Sequence, residues 1–103
     1  MGINLLILFY YMENANNRFK LLVDMEGVKL TWLAAETGIE RDRWNSVKHS
    51  KARMAASEIE ALDGVWPEYS YWLATGKELP EAGQISPMTK KAHKALKTSP
   101  KAG

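Results

Sequence analysis

Apolar residues recur at helical spacing between residues 14 and 76 and mark five short segments. Phe19, Leu22 and Val23 fall at positions i, i+3 and i+4, which places them on one face of a helix. Four further apolar sets follow at similar spacing. These sets are Leu30, Leu33, Ala34 and Thr37; Trp44 and Val47; Ala55, Ile59, Leu62 and Trp66; and Tyr69, Trp72 and Leu73. The pattern therefore predicts five helices in an all-α domain.

Glycine and proline indicate where these helices begin and end. Gly27, Gly38 and Gly76 follow the first, second and fifth apolar sets, where a left-handed residue commonly ends a helix. Pro67 suits the first turn of the fifth helix. The third helix is predicted to start near Glu40, and the polar, basic stretch 49–53 after it is predicted to be a loop.

The two ends of the chain differ from this central part. Residues 1–12 are strongly apolar but too short to cross a membrane, and their composition favours a strand. The segment could pair with its copy in a second subunit, pack on its own domain, stay disordered, or precede a true start at Met12. Residues 78–103 contain prolines, a glycine and a lysine-rich end, which predicts a linker and a basic tail that is either mobile or weakly helical. The helical domain is thus predicted to span residues 13–77.

Charge is segregated along the 103-residue chain, although its net value is only +2. Residues 41–53 carry five basic residues and one acid, and residues 82–103 carry five lysines and no acid. Residues 58–68 between them carry four acids and no base. Such segregation favours an anionic partner such as nucleic acid, although each run is also what a solvated face would show.

The sequence offers little for catalysis or for metal binding. It has no cysteine, and its two histidines, His49 and His93, lie 44 positions apart. Glu58 and Glu60 are interpreted as parts of a solvated helix face, and Ser57 with Glu60 has the spacing of a capping box. We therefore expect a cytoplasmic binding protein rather than an enzyme, with no cofactor, no metal and no membrane span.

Residues 30–47 have the spacing of a helix-turn-helix, in which two helices cross steeply through a tight turn. The crossing needs a small residue, which Ala34 supplies, and the turn needs a glycine, which Gly38 supplies. Apolar residues at fixed offsets from that glycine hold the helices together. The predicted packing set is Leu33, Ala34, Gly38, Ile39, Trp44 and Val47.

This segment resembles the Xre-like family of helix-turn-helix proteins, the lambdoid repressor and Cro type. The resemblance covers residues 14–76 and has a second anchor in YWLATG at 71–76, which is similar to the family's terminal DWLLNG segment. Some positions depart from the family pattern. Thr37 replaces a usual leucine, Trp44 is larger than the usual aliphatic residue, and Lys29 and Leu30 stand where threonine and glutamine often begin the second helix.

The resemblance implies a transcriptional regulator that binds double-stranded DNA as a homodimer, with its third helix in the major groove. By family position the base-contacting residues would be Arg41, Asp42, Asn45 and Ser46. The residues that contact the DNA backbone would be Lys29, Thr31, Arg43, Lys48, Lys51 and Arg53. The fifth helix and its exit, from Tyr69 to Leu79, are a candidate dimer surface. Trp32 is expected to be either a buried or half-buried side chain or a dimer contact. The alternative is a protein-interaction module on the same fold, such as an antitoxin or a phage-encoded inhibitor of a host protein.

Overall fold

The protein's structure is a computed structural model that describes residues 14–98, and within this range it is all-helical. Two short 3-10 turns, Pro67–Tyr69 and Pro80–Ala82, connect helices. The α-helices are α1 (Ala15–Glu26), α2 (Leu30–Thr37), α3 (Arg41–Lys48), α4 (Ala56–Val65), α5 (Ser70–Thr75) and α6 (Pro87–Thr98). The five predicted helices correspond to α1–α5. The hypotheses on residues 1–12 lie outside the described residues.

The predicted apolar faces meet in one core. Phe19, Leu33 and Trp44 are fully buried, and the Phe19 and Trp44 rings stack with their centroids 5.1 Å apart. The remaining large buried side chains come from α1, α3, α4, α5 and the segments between them. They are Leu22, Val23, Val47, Met54, Leu62, Trp66, Tyr69, Trp72 and Leu73. No helix between residues 14 and 98 combines the length and apolarity needed to cross a membrane.

Helices α2 and α3 form the predicted pair around Gly38. This glycine has a left-handed backbone (φ 76°), and its N–H donates to the carbonyl of Ala34 at 2.8 Å. A side chain at this position would meet no neighbour, so glycine is favoured here by the backbone angle rather than by space. Ala34 and Ile39 pack at the margin of the core. The predicted packing set is therefore brought together.

Two departures from the family pattern, Thr37 and Trp44, fit each other. The indole Nε1 of Trp44 donates to the Thr37 hydroxyl at 3.1 Å. That hydroxyl donates to the Leu33 carbonyl at 2.8 Å and accepts the N–H of Ile39 at 3.2 Å. A leucine at position 37 would leave the buried indole N–H without this partner.

The start of α4 differs from the prediction. The capping box of Ser57 and Glu60 is wrong, because α4 begins at Ala56. Glu58 instead accepts the backbone N–H of Ala55 at 2.7 Å. Glu58 was interpreted as solvated, yet only 4% of its surface is exposed. The helix turns it toward α3, where a cation pairs with it.

Residues 78–86 form a defined turn where a flexible linker was predicted, and residues 87–98 form a helix, which was one of the two alternatives for the tail. Leu79 and Gln84 form an antiparallel bridge closed by a tight turn, in which Gly83 has φ 74°. The Gln84 side chain accepts the N–H of Tyr71 at 2.9 Å and donates to the carbonyl of Pro67 at 3.0 Å. The proline and glycine thus shape a turn that docks on the start of α5.

Helix α6 has a defined start and an ion pair to the domain. Ser86 precedes its first residue, Pro87, and the Ser86 hydroxyl accepts the N–H of Thr89 at 3.2 Å. Lys90 pairs with Glu68 at 2.6 Å. Helix α6 also packs against α1. Composition did not reveal these anchors, because each is a polar contact between particular residues, and Lys90 and Glu68 lie far apart in the sequence.

Two aromatic residues of the candidate dimer surface, which runs from Tyr69 to Leu79, are internal, whereas Tyr71 is half-buried and Leu79 is exposed. Tyr69 is fully buried and Trp72 is 3% exposed, so neither is available to a second subunit. Trp32, by contrast, is 41% exposed and contacts the Trp66 ring at 5.9 Å between centroids.

Candidate nucleic-acid interface

The outward face of α3 contains the four residues predicted to contact bases. Arg41 and Asp42 are exposed, and Asn45 and Ser46 are half-buried. Their spacing of i, i+1, i+4 and i+5 places them on one side of the helix, whereas Trp44 and Val47 face the core. The buried side of α3 packs into the core, so the polar side of the helix faces outward.

At the start of α3, Arg41 and Asp42 form an exposed ion pair at 3.1 Å. Exposed pairs of this kind contribute little to stability, so the guanidinium can exchange Asp42 for another acceptor at small cost. Arginine can bind O6 and N7 of guanine together, and aspartate can accept from N4 of cytosine. Glu40, the residue before α3, makes no side-chain cap.

Further along α3, the Asn45 side chain makes no hydrogen bond to any other residue in the range 14–98. Asparagine offers a donor and an acceptor at the spacing of adenine N6 and N7. The carbonyl of Ser46 is occupied, because it accepts the N–H of Lys51 at 2.8 Å. The side-chain amide of Asn45, by contrast, has no partner within residues 14–98 and remains available to a ligand.

The residues predicted to contact the DNA backbone are not equivalent in the structure. Lys51 and Arg53 are exposed on the loop after α3, and Lys29 and Thr31 are exposed at the start of α2. Lys48 is half-buried and pairs with Asp24 at 3.4 Å. Lys48 ends α3, and Lys51 and Arg53 follow it in the loop.

Arg43 has a structural partner instead of a free guanidinium. Its side chain forms a two-pronged ion pair with Glu58, in which Nη2 donates to Oε1 at 3.0 Å, and Nη2 also donates to the carbonyl of Arg53 at 3.0 Å. Arg43 therefore ties α3 to α4 and to the basic loop. Its predicted contact with a phosphate would have to compete with this pair.

Burial of the Glu58 carboxyl acts to raise its pKa, but three interactions together outweigh burial. The hydrogen bonds from Arg43 and from the N–H of Ala55, with the guanidinium charge, hold the pKa of Glu58 below its ordinary value. The same pair raises the pKa of Arg43. Glu58 is therefore a charged residue inside the domain, and α3 depends on it for its position.

This pair predicts a loss of stability in acid. Because the pKa of Glu58 is lower in the folded chain, its contribution is complete above the unfolded value of about 4.3 and is lost as the pH falls through the folded value. We expect Glu58→Gln to lower the melting temperature at pH 7, and the difference from the wild type to shrink below pH 4. Thermal melts from pH 7 to pH 2.5 test this, with Glu60→Gln as control. A difference that does not change with pH would contradict it.

The sequence analysis did not identify Asn16, the buried residue that contributes most to the shape of the site. Its Nδ2 donates to the carbonyls of Val47 at 3.0 Å and Ala52 at 2.6 Å, and its Oδ1 accepts the N–H of Met54 at 3.1 Å. One buried amide thus holds both ends of the loop between α3 and α4. The sequence feature that could have indicated its burial is its position three residues before Phe19, on the apolar face of α1.

The same loop has a special backbone. Ser50 adopts a left-handed conformation (φ 59°), and a concave surface of about 290 Å³ lies between the loop and Asn14. Lys51 and Arg53 line this surface. The arrangement places two cations and exposed backbone beside the end of α3.

Arg18 is a second buried polar residue that the sequence analysis missed. It is 3% exposed, and its Nε donates to the carbonyl of Leu73 at 3.1 Å. This carbonyl belongs to the last turn of α5, where helical carbonyls lack partners within the helix. Arg18 therefore joins α1 to α5 behind the candidate interface.

Comparison with solved structures finds a similar phage protein. Pf6r, from the filamentous phage Pf6 of Pseudomonas aeruginosa PA01, superposes with a TM-score of 0.67 and is 35% identical. The match covers 82% of this chain and 99% of Pf6r. The chain belongs to the family of Pf6r.

The relationship to Pf6r extends beyond the helix-turn-helix. The matched share amounts to about 84 residues, whereas the segment 14–76 that carries the Xre-like resemblance has 63. The shared unit therefore includes chain outside that segment. No protein-family model and no curated protein matches the sequence.

Proposed function

We propose that this protein is a DNA-binding transcriptional regulator of the Xre-like type that reads duplex DNA in the cytoplasm as a homodimer. The observation that carries the proposal is the polar side of α3, with Arg41 and Asn45 outward and a basic loop directly after it. Kinship with the phage protein Pf6r supports a phage or prophage setting. The role is one of binding and needs no cofactor.

In this proposal α3 lies in the major groove and its N-terminal half meets base edges. Arg41 and Asn45 read guanine and adenine, and Asp42 and Ser46 contribute the remaining polar contacts. Lys51 and Arg53 meet the phosphates where the helix leaves the groove. Arg43 acts from within, since its pair with Glu58 ties α3 to α4 and thereby fixes the position of α3.

Binding to duplex DNA is expected to weaken steeply with salt. For about five phosphate contacts per subunit, log K should fall against log salt with a slope near −4 to −5, because each contact releases condensed counterions. Fluorescence anisotropy on a labelled duplex between 50 and 300 mM salt measures the slope. Lys51→Ala should make the slope shallower by about 1, whereas Lys20→Ala, on α1, should leave it unchanged. Affinity that does not respond to salt would contradict the proposal.

A protein-interaction module is the second candidate, and one observation favours it. Glu40 and Asp42 expose two carboxylates at the start of α3, where they face away from the core and would repel phosphate. If the protein shows no affinity for any duplex at 50 mM salt, this second function replaces the first.

A further inference from the structure

Lys48 stands in the same row of α3 as the two residues proposed to read guanine and adenine. It lies two turns after Arg41 and one turn after Asn45, at the end where α3 leaves the groove in the proposed function. Its side chain is half-buried and reaches α1, the helix that packs beside α3. Lys48 is therefore placed between the proposed reading side of α3 and the neighbouring helix.

An acid of α1 holds the Lys48 ammonium in the protein without DNA. Asp24 Oδ1 lies 3.4 Å from Lys48 Nζ, and Asp24 Oδ2 lies 3.4 Å from Lys20 Nζ. One carboxylate thus pairs with two cations, one from each of two helices. If Lys48 leaves, Asp24 keeps Lys20 as its partner, so the exchange does not leave an unpaired carboxylate.

The pair between Asp24 and Lys48 can be exchanged at small cost. The Asp24 side chain is 48% exposed, and solvent-exposed ion pairs contribute little to stability. A phosphate that stays within reach of Lys48 can therefore replace Asp24. A phosphate that does not stay within reach cannot, because the packing of α1 against α3 keeps Asp24 beside the ammonium.

Duplexes of different sequence differ in how long they keep a phosphate at one place. On the correct sequence, base contacts specify one register of α3, and the phosphates near Lys48 then have fixed positions. On other sequences a protein slides and hops along the duplex, and no phosphate keeps a fixed position. The competition between Asp24 and phosphate for Lys48 therefore has a different outcome in the two cases.

We infer that Asp24 is a specificity-determining residue, which withholds Lys48 from DNA unless Arg41 and Asn45 fix the register of α3. The contact of Lys48 with phosphate then strengthens binding to the correct sequence alone. This inference rests on the proposed function and adds to it the role of an acid that itself contacts no DNA. It also gives different roles to Lys48, which is paired, and Lys51, which is exposed.

Asp24→Asn tests the inference, because it removes the charge and keeps the size of the side chain. On a random duplex in 0.1 M salt, affinity should rise about 5–10-fold and the slope of log K against log salt should steepen by about 1, as expected for one added phosphate contact. On the preferred duplex, obtained by selection from a random library, affinity should rise less than about 3-fold and the slope should stay the same, because Lys48 contacts phosphate there already. The preference for the correct sequence should therefore fall.

Lys48→Ala shows whether Asp24 acts through this one cation. Alone, it should weaken binding to the preferred duplex about 5–10-fold and leave the random duplex almost unchanged, whereas Lys51→Ala weakens both. In the Lys48→Ala protein, Asp24→Asn should change affinity for the random duplex less than about 2-fold, because the cation that it would free is absent. Glu60→Gln, which removes an exposed carboxylate from α4, measures the general effect of net charge. Circular dichroism melts establish that each variant is folded.

Three results would overturn the inference. Asp24→Asn could raise affinity equally on both duplexes, or raise it as much without Lys48 as with it, or leave the random duplex unchanged although the wild type binds DNA. Failure of the proposed function gives a different result, because neither the wild type nor any variant would then bind a duplex at 50 mM salt. In that case the inference falls with it.

Discussion

Replacing Asn16 with alanine is expected to lower the free energy of unfolding by about 2–4 kcal/mol. The side chain is 6% exposed and makes three hydrogen bonds to the backbone between Val47 and Met54. Alanine would leave the Ala52 carbonyl and the Met54 N–H without partners, and the Val47 carbonyl would keep only the N–H of Ser50. The loss is large because one side chain makes three of the hydrogen bonds that hold this loop, at a site that is largely closed to water.

Urea unfolding followed by circular dichroism measures this effect, with Asn45→Ala as the matched control. The control removes the same atoms from the outward side of α3, where the Asn45 amide has no partner within residues 14–98, and should change stability by less than about 0.5 kcal/mol. Asn16→Asp should also destabilise, since a carboxylate cannot donate to the Val47 and Ala52 carbonyls. Equal unfolding free energies for the two alanine variants would contradict the role of Asn16.

Removing the side chain of Arg41 should cost about 1–3 kcal/mol of binding free energy on the preferred duplex and much less on random DNA. The same is expected of Asn45→Ala. The reason is that base contacts form only on the correct sequence, whereas phosphate contacts form on any. Lys51→Ala should therefore weaken both duplexes alike.

Arg41 suits this test because its substitution leaves the fold almost unchanged. Its ion pair with Asp42 is exposed on both sides and contributes little to stability. A change in affinity thus reports on DNA and not on folding. If Arg41→Ala and Lys51→Ala behave identically on all sequences, the reading face has been assigned wrongly.

Local patterns were enough to predict the core and the helix ends that are marked by glycine. Phe19, Leu33 and Trp44 are buried, as the periodicity predicted. In a small domain of short helices, the apolar face of one helix can be buried only against the apolar faces of the others. Gly38 and Gly76 end helices with left-handed backbones, a property that depends on the residue itself. Both kinds of signal are contained within a few positions of sequence.

Buried polar residues could not be predicted in this way. Glu58 and Glu60 are two positions apart on α4, yet the first is buried against Arg43 and the second is exposed. Their chemistry is identical, and the ion pair with Arg43 of α3 distinguishes Glu58 from Glu60. Residues 78–86 were missed for a similar reason, because Gln84 docks on Tyr71 through a contact that composition does not reveal.

Selection of duplexes from a random library by the purified protein tests the central claim most directly. A dimer that reads DNA with α3 predicts an enriched site of two related half-sites, with centres about 10 base pairs apart. Arg41→Ala should lose preference at one position of each half-site. A library that emerges without any enriched sequence would contradict the claim that α3 reads DNA.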